Sequence, residues 1–272
     1  MTPPARGVNH PVSSWGRGSF LGVSREILAK LVDIPVSKRL RVVALTGAGV
    51  SAESGVPIFR GPGSMWEIPE VRELARRAGP PWNNRETWEF YEWRRGLVAR
   101  CKPNAAHLTL AEMERYFEDF CLITQNVDGL HWRAGSKHVL ELHGSMWKGR
   151  CPKDGAVVDL PETPLKSIPP VHECGTPMRP HVVQFGEPID PDVLRKAVAA
   201  SRKADLFLVI GTSGVVAPAS HLPLIALERG AKLIEVNPRT TVLTPYMHLS
   251  VRGKAAEVLP RIWKILVGEE KY

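Results

Sequence analysis

The sequence predicts an α/β fold, a parallel sheet with helices on both faces and a small module inserted into it. Rhythm is the first reason. Strand-like apolar runs recur at residues 42–46, 120–124, 139–142, 206–211 and 233–236, with amphipathic helical patterns between most of them, as successive βα units require. The second reason is local. The β-branched run Arg41-Val42-Val43-Ala44-Leu45 passes straight into Thr46-Gly47-Ala48-Gly49-Val50-Ser51-Ala52-Glu53-Ser54-Gly55, and a glycine-rich turn after a buried strand is a nucleotide cradle of the Rossmann-like kind. The third is a break in composition at residues 145–181, rich in Pro, Gly, Lys and Cys and lacking a long apolar run.

Taken in order, residues 1–22 carry Arg6 and Arg17, no acid, and several Ser, Pro and Gly. They read as a flexible tail, with only a weak echo of an organelle transit peptide. Residues 23–144 and 182–272 form the Rossmann-like domain, and 145–181 form the small module. Helical patterns at 69–78, 85–99 and 104–116 fill the long interval between the first two strands, so a helical insertion is expected at about residues 67–117. With 272 residues and 43% hydrophobic content the chain can bury a substantial core. No run approaches the ~18 apolar residues of a membrane span, and no membrane partner is expected. Four scattered cysteines without a secretory signal point to a reducing compartment, the cytoplasm. The formal charge of +8 is scattered rather than striped, so nucleic acid is not the expected partner.

Chemistry gathers at strand ends. A hydride-transfer dinucleotide domain places an acid at a second strand end roughly 20 residues past its glycines. Here Phe59-Arg60-Gly61-Pro62-Gly63-Ser64-Met65-Trp66 lies in that region, a long open loop bearing an Arg and aromatics. Past the second strand come Gln125-Asn126-Val127-Asp128, whose amides and carboxylate suit a sugar and an amide, although Asn and Asp also cap ordinary turns. The third strand ends in Glu141-Leu142-His143-Gly144, and the last two run into Gly211-Thr212-Ser213 and Asn237. Five strand ends therefore converge on one rim, with an imidazole among them whose pKa is naturally near neutral.

The ordered set Gly47 to Gly55 with Phe59-Arg60, Gln125-Asn126-Val127-Asp128, His143-Gly144, Val182-Val183-Gln184-Phe185-Gly186-Glu187, Gly211-Thr212-Ser213 and Asn237 resembles the sirtuin (Sir2) family over nearly the whole chain past the tail. The resemblance implies the sirtuin fold and a protein-lysine deacylase that consumes NAD. In that chemistry the acyl oxygen attacks the ribose carbon as nicotinamide leaves, and O-acyl-ADP-ribose is released with free lysine. It implies catalytic roles for His143, as general base, and for Asn126 and Asp128, which orient the nicotinamide ribose. It implies NAD contacts from Gly47, Ala48, Gly49, Ser51, Ala52, Glu53, Phe59, Arg60, Gln125, Asn126, Asp128, Gly211, Thr212, Ser213, Asn237 and Ala255. Acylated protein lysines are the implied partners, docking as an extended peptide on residues 182–187 through Val182, Phe185, Gly186 and Glu187.

Trp88-Glu89-Phe90-Tyr91-Glu92-Trp93-Arg94 narrows the substrate. Tyr91 and Arg94 are three apart and share a helix face, and a phenol beside a guanidinium forms a carboxylate clamp. The pair resembles the sirtuin class that removes succinyl, malonyl and glutaryl groups, with Ala75 as the small residue of its acyl pocket and acetyl as a further substrate. Three departures stand out. Ile58 replaces a common threonine, and Gln184 replaces a common aromatic. The family's two close cysteine pairs are reduced to Cys151 and Cys174. Asp154 and His172 are candidate replacements, but His172 and Cys174 are only two apart and a shared ion would strain their loop. The expectation is a module held by prolines and packing, with no bound metal and the thiols as remnants of a lost zinc site. Competing readings are an NAD glycohydrolase or ADP-ribosyltransferase, which has no use for a peptide-docking strand, and a non-enzymatic NAD sensor, which has no use for His143.

Overall fold

The computed structural model describes residues 19–20, 23–24, 36–59 and 61–269. The expected tail lies outside them except for Ser19–Phe20 (β1), which pairs antiparallel with Val23–Ser24 (β2) across the boundary drawn at residue 22. Arg60 also lies outside the described residues.

The main sheet contains β3 (Arg41–Thr46), β4 (Asp119–Thr124), β5 (Val139–Glu141), β9 (Leu206–Ile210), β10 (Lys232–Val236) and β11 (Leu249–Val251). All pairs are parallel, in the order β11-β10-β9-β3-β4-β5. The expected α/β class is thus the observed one. Both faces are covered, which is why the central strands read as unbroken apolar runs. Val42, Ala44, Leu122 and Leu208 face one side, against α3 (Ala105–Tyr116) and α7 (Ala255–Leu266). Val43, Leu45, Ile123, Phe207 and Val209 face the other, against α5 (Pro191–Lys203) and α6 (Leu222–Glu228). No helix among the described residues is long and apolar enough to cross a membrane.

A third cluster lies across the rim. Helices α1 (Pro69–Arg77) and α2 (Arg85–Ala99) pack on the small antiparallel sheet of β6 (Gly144–Arg150), β7 (Val157–Asp159) and β8 (Arg179–Val182), through Trp88, Tyr91, Met146, Met178 and Val182. The Trp88 indole N–H donates to the Met178 carbonyl at 2.7 Å. The third helix of the expected insertion, α3, packs instead with the main domain, because its apolar face (Ala106, Leu110, Met113) covers the sheet. The site lies between this lobe and the sheet rim.

Candidate active site

Strand order reverses between β3 and β9, and open α/β sheets bind ligands in the crevice at such a point. The glycines there do something the sequence reading did not assign. Gly47 N–H donates to the Ile210 carbonyl at 3.0 Å and Gly49 N–H to the Gly211 carbonyl at 2.8 Å, so neither is free for a phosphate. A Cβ on Gly47 or Gly49 would come within 2.8 Å of the backbone of Thr212 or Gly211, and one on Gly211 within 2.5 Å of Val50 N. Their absence of side chains lets two strand-end loops interlock and keeps the crevice open. After the turn the chain runs through two 3₁₀ turns, Ala48–Val50 and Ala52–Ser54.

Behind the crevice is a directional hydrogen-bond chain. His107 Nδ1 accepts from the Asn104 N–H at 3.2 Å, so the ring proton sits on Nε2, which donates to the Ser51 hydroxyl at 3.3 Å. Ser51 Oγ also accepts from Asn126 Nδ2 at 3.2 Å and donates to Asp128 Oδ2 at 2.7 Å. Asp128 Oδ1 accepts the Leu130 N–H at 2.9 Å, and Asn126 Nδ2 donates to the Gly47 carbonyl at 3.1 Å. Burial raises the Asp128 pKa against the pull of these hydrogen bonds and of Arg94 and Arg133. Burial lowers His107 to about 4 and His131, whose ring lies tilted against it at 4.8 Å, to about 3, so both stay neutral at neutral pH. His107 was missed from sequence; the Asn104-x-x-His107 spacing, which closes a capping box on α3, was its signal.

His143 follows β5, half-buried. Its Nδ1 lies 2.9 Å from the Gln125 carbonyl. A carbonyl only accepts, so the proton sits on Nδ1, and among the described residues the Nε2 lone pair has no hydrogen-bond partner, as a general base requires. The structure joins it to the other predicted residues: Gln125 Nε2 donates to Thr212 Oγ1 at 2.9 Å, and Asn237 Nδ2 to the Thr212 carbonyl at 2.9 Å. Ser213 is exposed on the rim. Glu53 and Ala255 sit apart from this set. The Glu53 carboxylate accepts the Ala256 N–H at 2.8 Å, capping α7, and Ala255 is buried in the core at 4% exposure. The side chains of Gln125, Asn126, Asp128 and Asn237 gather at this switch point, and amides and a carboxylate so placed suit the ribose and amide of a dinucleotide such as NAD.

On the peptide side, residues 182–187 are not one strand. Val182 ends β8, Val183 N–H donates to the His143 carbonyl at 3.0 Å, and the chain then turns through Gly186, whose φ is +85°. Glu187 accepts Arg179 Nη1 at 2.7 Å, Arg179 Nη2 at 2.8 Å and the Gln184 N–H at 3.0 Å, which fixes that turn. Phe185 is 76% exposed with its ring centroid 5.8 Å from that of Phe59, so the turn of residues 182–187 and the loop bearing Phe59 meet there. Ala75 packs into the cluster that buries Tyr91. The Arg94 guanidinium lies over the Tyr91 ring at 5.5 Å and the Phe90 ring at 5.7 Å. No carboxylate among the described residues forms a salt bridge with it.

In the small module the ligand atoms of Cys151, Asp154, His172 and Cys174 lie within 4.8 Å of one another. Cys151 Sγ and Cys174 Sγ are 3.7 Å apart, His172 Nδ1 and Cys174 Sγ 3.1 Å, and His172 Nδ1 and Asp154 Oδ2 3.6 Å. A tetrahedral zinc with bonds of about 2.0–2.3 Å has ligand-to-ligand edges of about 3.3–3.8 Å. The donor types suit zinc and these three separations lie near tetrahedral edges, while the set as a whole is contained only within 4.8 Å. The geometric objection to sharing one ion is corrected by the turn at Gly175, φ +80°, where Gly175 N–H donates to the His172 carbonyl and His172 N–H to the Thr176 carbonyl. The count of two thiolates stands. Protein purified without chelator is expected to carry one zinc per chain by elemental analysis, and chelation to lower the melting temperature; a metal-free chain with an unchanged melt would restore the reading of thiol remnants.

The pattern of the Sir2 family matches residues 47–218. The chain is 48% identical over 236 residues to an NAD-dependent protein deacylase of Aquifex aeolicus, an alignment covering 86% of this chain and 98% of that one. Identity to NAD-dependent protein deacylase 1 of Archaeoglobus fulgidus is 46% over 233 residues, covering 85% and 94%. Among solved structures, a Sir2 homologue in complex with NAD superposes with a TM-score of 0.74 at 40% identity, covering 92% of this chain and 97% of that one. A Sir2 structure with a p53 peptide and NAD+ gives a TM-score of 0.71 at 34% identity, covering 88% and 97%. The sheet order and these matches agree, and the protein belongs to the Sir2 family.

Proposed function

We propose that this Sir2-family enzyme, an NAD-dependent protein deacylase, acts on lysines bearing acyl chains that end in a carboxylate, succinyl, malonyl or glutaryl, as well as on acetyl-lysine. NAD, when bound, supplies an electrophilic ribose carbon with nicotinamide as its leaving group. The chain supplies the rest. Asn126 and Asp128 are held rigid by Ser51 to orient a ribose and an amide. His143 Nε2 takes a proton from a ribose hydroxyl, and the carbonyl of Gln125 holds the imidazole in the required tautomer. The turn around Phe185, beside Phe59, seats the substrate peptide.

The observation that carries the acyl preference is Arg94. It is a half-buried cation beside a buried phenol, it has no carboxylate partner among the described residues, and its charge reaches Asp128. Such a cation is costly without an anion and well suited to a substrate that brings one. The test is NAD-dependent release from acetyl-, malonyl- and succinyl-lysine peptides, with mass-spectrometric detection of the acyl-ADP-ribose. Succinyl turnover matching or exceeding acetyl turnover is expected. Turnover of acetyl-lysine alone would refute the preference, and NAD cleavage without any acyl-ADP-ribose would turn the assignment toward a glycohydrolase.

A further inference from the structure

We propose that Gln184 is a specificity-determining residue, which sets the direction of the Tyr91 hydroxyl so that the phenol proton is presented to the distal carboxylate of the acyl chain. The proposal rests on the acidic-acyl reading above. The structure puts the half-buried Gln184 side chain against α2 rather than in solvent. Gln184 Nε2 donates to Tyr91 Oη at 3.1 Å. Tyr91 is 4% exposed, and this is the one side-chain hydrogen bond of its hydroxyl among the described residues. A phenol has one proton and two lone pairs. With the amide donating into the oxygen, the proton is left for another acceptor, and the nearby Arg94 guanidinium, 5.5 Å from the ring, has none to offer. A carboxylate arriving there meets an O–H donor and a cation together, the pairing that gives short, charge-assisted hydrogen bonds.

Gln184 is also well fixed for this task. Its N–H donates to Glu187 Oε2 at 3.0 Å, its carbonyl accepts the Glu187 N–H at 3.0 Å, and Arg179 grips both oxygens of that carboxylate. One residue earlier, Val183 N–H is bonded to the His143 carbonyl. The amide that orients Tyr91 is thereby tied to the backbone of the catalytic imidazole. An apolar side chain at 184 leaves the buried Tyr91 oxygen without a partner and its proton free to turn. A glutamate, nearly the same size, takes the proton itself and sets a negative charge where the acyl carboxylate would bind.

The experiment measures kcat and KM on acetyl- and succinyl-lysine forms of one peptide for the wild-type chain, Gln184→Leu, Gln184→Glu, Tyr91→Phe and Gln184→Leu/Tyr91→Phe. The ratio of succinyl to acetyl kcat/KM is expected to fall about tenfold in Gln184→Leu, chiefly through the succinyl KM, and further in Gln184→Glu. In the Tyr91→Phe background Gln184→Leu is expected to change the ratio by less than about twofold, because the hydroxyl through which it acts is gone. A ratio unmoved by Gln184→Glu would overturn the proposal alone. So would an equal fall in ratio with and without the Tyr91 hydroxyl, which would make Gln184 a peptide contact. A wild-type chain inert toward succinyl-lysine would overturn the acidic-acyl reading and this proposal with it. Gln184→Glu preserves shape and decides the matter even where Gln184→Leu folds poorly.

Discussion

Replacing His143 by Ala is expected to lower deacylation by about 10²–10⁴-fold while NAD binding stays within a few-fold of wild type. The loss follows from one atom. Nδ1 is engaged with the Gln125 carbonyl, so Nε2 carries the lone pair, without a hydrogen-bond partner among the described residues, and alanine removes it without touching the interlocked glycine loops. The pH profile carries a second signature. Burial lowers the His143 pKa from its ordinary 6.5, against a smaller opposite pull from the bond to Gln125. A lowered pKa keeps the imidazole neutral to more acid pH, so the acid limb of kcat/KM is expected below pH 6.5, with activity lost as pH falls through the folded-state value. The same depression makes folding stability due to this group complete above 6.5 and progressively lost below it. Steady-state rates from pH 5 to 8 and calorimetric titration with NAD check both halves. Turnover within tenfold of wild type, or an acid limb above 7, would remove His143 from the role.

Long, periodic features were legible in the sequence, and short ones were not. Five of the six strands of the main sheet announce themselves as apolar runs, because a strand covered on both faces has no polar side to interrupt it. Strand β11 is Leu249–Val251, with Ser250 interrupting its middle, so it shows no apolar run. The helical pattern at residues 104–116 was seen, but nothing in its spacing says which sheet it covers; packing decides that. The rim residues were legible as strand ends, whereas the work of the glycines was not, since a Gly-x-Gly that bonds to the neighbouring loop looks the same as one that bonds to phosphate. The metal-ligand set was obscured for a related reason. Cys151 and His172 are far apart in the chain, and only the fold shows that their donor atoms converge.

Adjacent arginines on α2 give the sharpest contrast between what spacing shows and what packing decides. Arg95 is 0% exposed. Its guanidinium donates to the Met146 carbonyl at 2.6 Å, to the Leu160 carbonyl at 2.7 Å and to the Glu162 carbonyl, lies over the Trp147 ring at 4.8 Å and pairs with Glu92 at 3.2 Å. Burial lowers its pKa and Glu92 draws it back. Arg95→Met strands three carbonyls between α2 and the small module and leaves the Glu92 carboxylate with its bond from the Thr163 hydroxyl but without its cation, and breaking a buried pair from one side costs about 3–5 kcal/mol, a large part of a typical total of about 5–15 kcal/mol. Arg94→Met strands nothing within the described residues, and its cost in stability is expected to be about 0.5 kcal/mol or less. It takes away instead the charge for the acyl carboxylate, worth about 1.5–3 kcal/mol, so succinyl-lysine turnover is expected to fall about 10–100-fold and acetyl-lysine turnover far less. Urea unfolding and turnover of the two acyl peptides separate these fates. Equal destabilisation by both variants, or equal loss on both substrates in Arg94→Met, would mean that Arg94 is a second brace for the module and that the acyl preference has lost its cation.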